Sequence, residues 1–98
     1  MISEKLTAQN NQEIFKCRSD LVISRQVQNG EISYIVKDPI SKKYYRFREI
    51  EHAILARLDG QRSPSDILAD LSTSYPTADL GFADLSAFLR SLKRIDLL

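Results

Sequence analysis

Residues 21–48 read LVISRQVQNGEISYIVKDPISKKYYRFR, and the way this stretch divides decides the fold. Leu21–Val27 is rich in β-branched residues and runs into Asn29-Gly30. That dipeptide is the strongest short hairpin signal, because both central residues of the tight turn must tolerate positive φ. Ile32, Tyr34 and Val36 then alternate with Ser33, Ile35 and Lys37, which predicts a second strand over Ile32–Lys37. Asp38-Pro39 breaks it, since proline cannot donate to the ladder. A third strand returns at Lys43–Phe47. Three strands joined by two short turns make an antiparallel meander with the third strand on an edge.

Beyond residue 48 the apolar period changes from two to 3.6. Ile50, Ala53, Ile54 and Leu58 share one helical face, with Leu55 beside them and Gly60 as the stop. The second helix carries its own start signal: Ser63 as the cap, Pro64 in the first turn and Asp66 three residues after the cap. Ile67, Leu68 and Leu71 face the core, and Tyr75-Pro76 ends the segment. A third helix is expected from near Asp79 to about Lys93, with Phe82, Leu85, Phe88, Leu89 and Leu92 on one face and Ile95 just beyond. The fold class is therefore α+β, three antiparallel strands followed by three helices.

Upstream of Leu21 the chain is polar and aperiodic, so residues 1–20 are expected to form a flexible arm ahead of a domain over 21–98. The single cysteine, Cys17, cannot bridge within the chain, which suits a reducing, cytoplasmic setting. No apolar run approaches a membrane span, and the first residues lack the apolar core of a signal peptide. Net charge is +1 but unevenly spread. Residues 21–48 hold Arg25, Lys37, Lys42, Lys43, Arg46 and Arg48 against Glu31 and Asp38, whereas the helical half is mildly acidic. A bulk electrostatic grip on nucleic acid normally needs more positive charge than this.

Several words of the sequence, taken together, resemble the PqqD-like family of peptide-recognition domains over about Asp20 to Leu98. They are Tyr34-Ile35-Val36-Lys37-Asp38-Pro39, Tyr44-Tyr45-Arg46-Phe47, Ile54-Leu55, and Leu58-Asp59-Gly60 leading into Asp66-Ile67. The subgroup it looks most like stands at the N-terminus of membrane zinc metalloproteases of the site-2 type, or of related secretion proteins, although no H-E-x-x-H motif occurs in these residues. The resemblance implies a winged helix-turn-helix that binds a peptide, typically the leader of a ribosomally made peptide under modification. The peptide would pair with the third strand and lie beside the third helix. Two positions depart from the family pattern: Ser19 stands where relatives often have proline, and Asp96 replaces a glycine common after the third helix.

Two groups of residues are candidates for binding. Lys43, Tyr44, Tyr45, Arg46 and Phe47, flanked by Lys42 and Arg48, interleave cations with aromatics on the edge strand. An edge offers unpaired N–H and C=O groups to an incoming strand, and the cations favour an acidic peptide. Lysines on an edge strand also serve simply to prevent aggregation. On the third helix Ala83, Ala87, Arg90 and Arg94 recur at spacings of four, three and four, roughly opposite the apolar face. This stripe is expected to wall the far side of the groove; the competing reading is a plain solvated face.

Nothing in the sequence assembles a catalytic or metal site, and no cofactor is expected. His52 is the only histidine, Cys17 lies on a different element, and Asp66 and Asp70 are better explained as helix-terminal and solvated carboxylates. Gly30, Gly60 and Gly81 sit at turns or helix ends, so there is no phosphate loop. The leading expectation is a non-catalytic peptide- or protein-binding module. DNA binding through Arg90, Lys93 and Arg94, or dimerisation through the edge strand, are the alternatives.

Overall fold

The computed structural model describes residues 14–98. Three strands form one antiparallel sheet in the order β1-β2-β3: β1 (Val22–Gln28), β2 (Glu31–Asp38) and β3 (Lys43–Arg48). Three helices follow: α1 (Glu49–Ala56), α2 (Pro64–Ser74) and α3 (Phe82–Arg94). The α+β order read from the sequence is the order observed.

The β1–β2 turn places Asn29 at φ 53° and Gly30 at φ 81°, the two positive values that a two-residue hairpin turn with the right twist demands. Register then pairs Ile23 with Val36, and Val36 with Tyr45. Because side chains alternate, this puts Val36, Tyr45 and Phe47 on the face toward the helices and Ile35, Tyr44 and Arg46 on the other. Val36 is fully buried, yet every residue of β1 is exposed, Val27 at 55%. The hairpin therefore reaches past the helical layer, and β1 is held mainly by its backbone ladder.

The core lies between the β2–β3 half of the sheet and the helices. It joins Val36 and Phe47 to Ile54, Leu58, Ile67, Leu71, Leu85, Leu89, Leu92 and Leu97. The second helix starts where its chemistry dictates. The Asp66 N–H donates to Ser63 Oγ at 3.2 Å and the Ser63 N–H donates to Asp66 Oδ2 at 3.4 Å. These reciprocal bonds satisfy donors that the first turn leaves open.

Two boundaries differ from the sequence expectation. The first helix ends at Ala56, before Gly60, because residues 15–17 dock against the Leu58–Gly60 segment. The Cys17 N–H donates to the Leu58 C=O at 2.9 Å, and the Gly60 N–H to the Phe15 C=O at 3.0 Å. Gly60 has φ +82° and a Cβ there would stand 3.3 Å from Lys16 Cδ, so both conformation and approach call for glycine. The third helix begins at Phe82 rather than near Asp79, which has the left-handed φ of 54° and belongs to the preceding turn. Phe82, expected on the apolar face, is 36% exposed in the first turn.

The expected arm over residues 1–20 is corrected in its second part. Residues 1–13 lie outside the described residues, but residues 14–20 are not a loose arm. Phe15 and Cys17 pack on the core. The Arg18 N–H donates to the Leu97 C=O at 3.0 Å. The physical reason is Arg18, whose guanidinium ties this segment to Asp38 at the β2–β3 turn and to the Asp96 C=O after α3.

Candidate functional site

The site is built along β3. Its one edge pairs with β2, and among the described residues no strand pairs with the other. On the outward face Tyr44 is 63% exposed, with Lys37 Nζ 5.7 Å from its ring centroid, and Arg46 Nη1 donates to Ser33 Oγ at 2.7 Å across the sheet. On the inward face Tyr45 is half-buried. Phe47 is a core residue, 8% exposed, meeting Phe88 of α3 edge-on at 5.7 Å between centroids. Phe47, a binding candidate in the sequence, thus sets the distance between strand and helix from within the core.

Two depressions flank this Phe47–Phe88 contact. One, of about 440 Å³, lies between Lys43 and Tyr45 on β3 and Arg94, Ile95 and Asp96 at the end of α3, with Arg18 and Asp38 beneath. The other, of about 250 Å³, is walled by Ile50, Ile54, Leu80, Ala87 and Phe88, with Arg48, Glu51 and Asp84 at its rim. They lie at the two ends of the groove between β3 and α3, which the Phe47–Phe88 contact divides; the second sits mainly between α1 and α3 and touches β3 at Arg48.

Of the helical stripe, only Ala87 and Arg94 reach this groove. Ala83 and Arg90 are exposed but line neither depression. The reason is angular. Helix α3 is anchored by Leu85, Leu89 and Leu92. At about 100° per residue the whole stripe lies on the side opposite those leucines, with Ala87 and Arg94 about 20–60° further round the helix than Ala83 and Arg90. The groove meets the flank where Asp84, Phe88 and Ile95 lie beside the core leucines, and Ala87 and Arg94 stand nearer to that flank than Ala83 and Arg90 do.

The basic end is organised by a residue that sequence reasoning passed over. Arg18 Nε and Nη2 donate to the Asp20 carboxylate at 3.0 and 2.7 Å. Nη1 and Nη2 donate to Asp38 Oδ2 and Oδ1, both at 2.9 Å, and Nη1 also donates to the Asp96 C=O at 2.8 Å. All five guanidinium N–H groups are thereby used. Asp38, 3% exposed, also accepts from the Ile40 and Ser41 N–H groups at 2.9 and 3.3 Å, which folds the β2–β3 turn. The Arg18 guanidinium holds the Asp38 carboxyl well below the usual carboxylate range, with the turn amides adding to the effect. Asp38-Pro39 reads in sequence only as a strand break, because its partner stands twenty positions upstream on another element.

By contrast the remaining cations of this end are available. Among the described residues neither Lys43 nor Arg94 has a carboxylate within ion-pair distance, and Arg94 Nη2 donates only to Ser91 Oγ at 3.3 Å. The Asp96 side chain is the one opposing carboxylate that is not already bonded.

The other titratable groups explain themselves structurally. His52 stacks on Tyr34 with centroids 3.7 Å apart, and burial pushes its imidazole below the ordinary histidine value. Burial pushes the Cys17 thiol up, the opposite of a reactive thiolate. Asp70 is held low by its hydrogen bond from Arg57. Among the described residues no three metal-ligating side chains cluster, and no helix is long and apolar enough to cross a membrane.

Comparison with known proteins adds one positive finding. The sequence model of the family described as "Coenzyme PQQ synthesis protein D (PqqD)" matches residues 33–98, two-thirds of the chain, from the middle of β2 onward. No curated protein and no solved structure matches.

Proposed function

The chain belongs to the PqqD family, and from that membership we propose that it is a non-catalytic recognition module that takes up an extended peptide as a further strand along β3. The peptide, the leader segment of a ribosomally made substrate, lies between β3 and α3. The observation that carries this reading is the open edge of β3 with a depression at each of its ends. Main-chain pairing supplies affinity that tolerates sequence variation, and the groove supplies selection. The surplus of positive charge at Lys43 and Arg94 supports a preference for acidic peptides.

The same proposal places the module in the cytoplasm, where a single half-buried thiol remains reduced. The likeness of its sequence words to the subgroup that precedes site-2-type membrane proteases supports a role in delivering peptide to such an enzyme. The dimerising alternative uses the same edge, so the two are separated by asking what fills it.

Backbone amide shifts of the ¹⁵N-labelled chain are followed while synthetic peptides encoded beside its gene are added. Changes confined to Lys43–Arg48 and to Ala87–Ile95 are the expected result. Shifts on β1 alone, or none from any peptide, overturn the reading. So does a dimer at micromolar concentration in sedimentation, with the β3 amides protected from exchange before peptide is added.

A further inference from the structure

We propose that the groove reads a two-pin pattern: an apolar side chain and, four residues later in the bound segment, a carboxylate, both on the strand face turned toward α3. This rests on the strand-addition reading and gives that site a substrate class.

The chemistry of the two depressions differs because their polar groups are spent differently. At the α1 end, Glu51 accepts from the Arg48 N–H at 2.8 Å and from Arg48 Nη2 at 3.3 Å. Asp84 accepts from the Gly81 N–H at 2.9 Å. Both rim carboxylates thus serve helix starts, and what remains for a ligand is the surface of Ile50, Leu80, Ala87 and Phe88. A charged side chain placed against that surface loses water. An apolar one gains contact with three aliphatic side chains and a ring.

At the Lys43 end the balance is reversed. Arg18 has no donor left, and two carboxylates, Asp38 and the more peripheral Asp20, share its one charge. Among the charged side chains that line this depression three are positive and two negative, and Lys43 and Arg94 face Asp96 alone. A carboxylate arriving there completes the set.

Geometry sets the spacing. From Ala87 and Phe88 to Arg94 and Ile95 is seven helical positions, about 10 Å along the axis. From Arg48, the β3 residue at the apolar depression, to Lys43 is about 17 Å along the strand. At about 3.3 Å per residue an added strand covers an interval of about 10–17 Å in three to five residues, and only an even step keeps both side chains on one face. The step is therefore four. Antiparallel pairing is the more stable way to extend this antiparallel sheet, so the segment runs from the Phe47 end toward Lys43. The apolar residue comes first.

A display library of random twelve-residue peptides, selected on the immobilised full chain, tests this directly. The expected consensus is an apolar residue followed four positions later by Asp or Glu. In a selected peptide, replacing that acid by its amide should weaken binding by about tenfold to the parent protein. The same replacement should change nothing in the K43E/R94E double variant, since the pair of changes then probes one contact. Enriched peptides that shift the β3 amides but lack the spaced pair overturn the two-pin pattern and leave strand addition standing. Enriched peptides that shift other residues, or no enrichment at all, overturn both.

Discussion

Asp96→Gly is the most informative single substitution in this chain. Asp96 has φ 66°, its N–H donates to the Lys93 C=O at 3.1 Å, and the Leu97 N–H donates to the Leu92 C=O at 3.0 Å. These two bonds close the end of α3 in the left-handed turn that usually carries glycine. The side chain costs roughly 1 kcal/mol there, the low end of the range for left-handed L-residues because aspartate tolerates this region. A carboxylate at the negative end of a helix costs a further ~0.3 kcal/mol. Glycine gives back about 0.5 kcal/mol through the greater freedom of the unfolded chain. The net gain is about 0.8 kcal/mol, or ~3–6 °C in Tm for a domain of this size. Thermal unfolding of the parent, Asp96→Gly and Asp96→Val chains measures it. The valine variant should melt well below the parent, because a β-branched residue is a true outlier at this φ. Near-identical melting of all three would refute the argument from backbone strain. The substitution has a second readout: Gly and Asn at position 96 both remove the carboxylate opposing Lys43 and Arg94, so both should strengthen binding of an acidic peptide, while Gly raises the Tm more than Asn does.

Three further outcomes are expected. Phe88→Ala removes the edge-on partner of Phe47 and should cost about 2–3 kcal/mol in urea unfolding, less than a fully buried phenylalanine because Phe88 is only half-buried; a loss under ~1 kcal/mol would mean that the contact does not set the strand–helix distance. Because the Asp38 carboxyl titrates below its unfolded value, the stability it provides is complete above pH ~4 and is lost as pH falls toward the folded value. The stability gap between the parent and Asp38→Asn should therefore narrow between pH 5 and 2, and a gap independent of pH would count against the Arg18–Asp38 pair. His52 titrates below its ordinary value, so its neutral ring favours folding above pH ~6.5 and that advantage fades as pH drops through the lowered value; His52→Phe, which preserves stacking on Tyr34, should flatten the stability profile in this window, as followed by urea midpoints.

What could be read from the sequence was whatever neighbours in the chain decide. Asn29-Gly30 announced its turn because two adjacent residues must both adopt positive φ, and Ser63-Pro64 with Asp66 announced a helix because the capping bonds close within four residues. The cationic, aromatic edge strand was legible for the same reason. Contacts between distant segments were not. Nothing near Arg18 shows that it fastens the β2–β3 turn, and nothing near Asp38 shows that it is more than a turn former. The helix stripe failed in a different way. Spacing alone told that Ala83, Ala87, Arg90 and Arg94 share one side of α3, but which side meets β3 depends on the rotation imposed by Leu85, Leu89 and Leu92 against the core. That rotation brought Ala87 and Arg94 to the groove, left Ala83 and Arg90 outside it, and substituted Asp84, Phe88 and Ile95.

The bond from the Arg18 N–H to the Leu97 C=O brings positions at opposite ends of the described residues to within one peptide unit of each other. Such a fold is well suited to circular permutation. A chain reopened between Asn29 and Gly30, with Leu98 linked to residue 14 by a few glycines, would keep the β2–β3 half of the sheet, all three helices and the receiving edge in one covalent piece. Strand β1 would then hang from a new terminus, and its exposed residues would show how much of the molecule works without it.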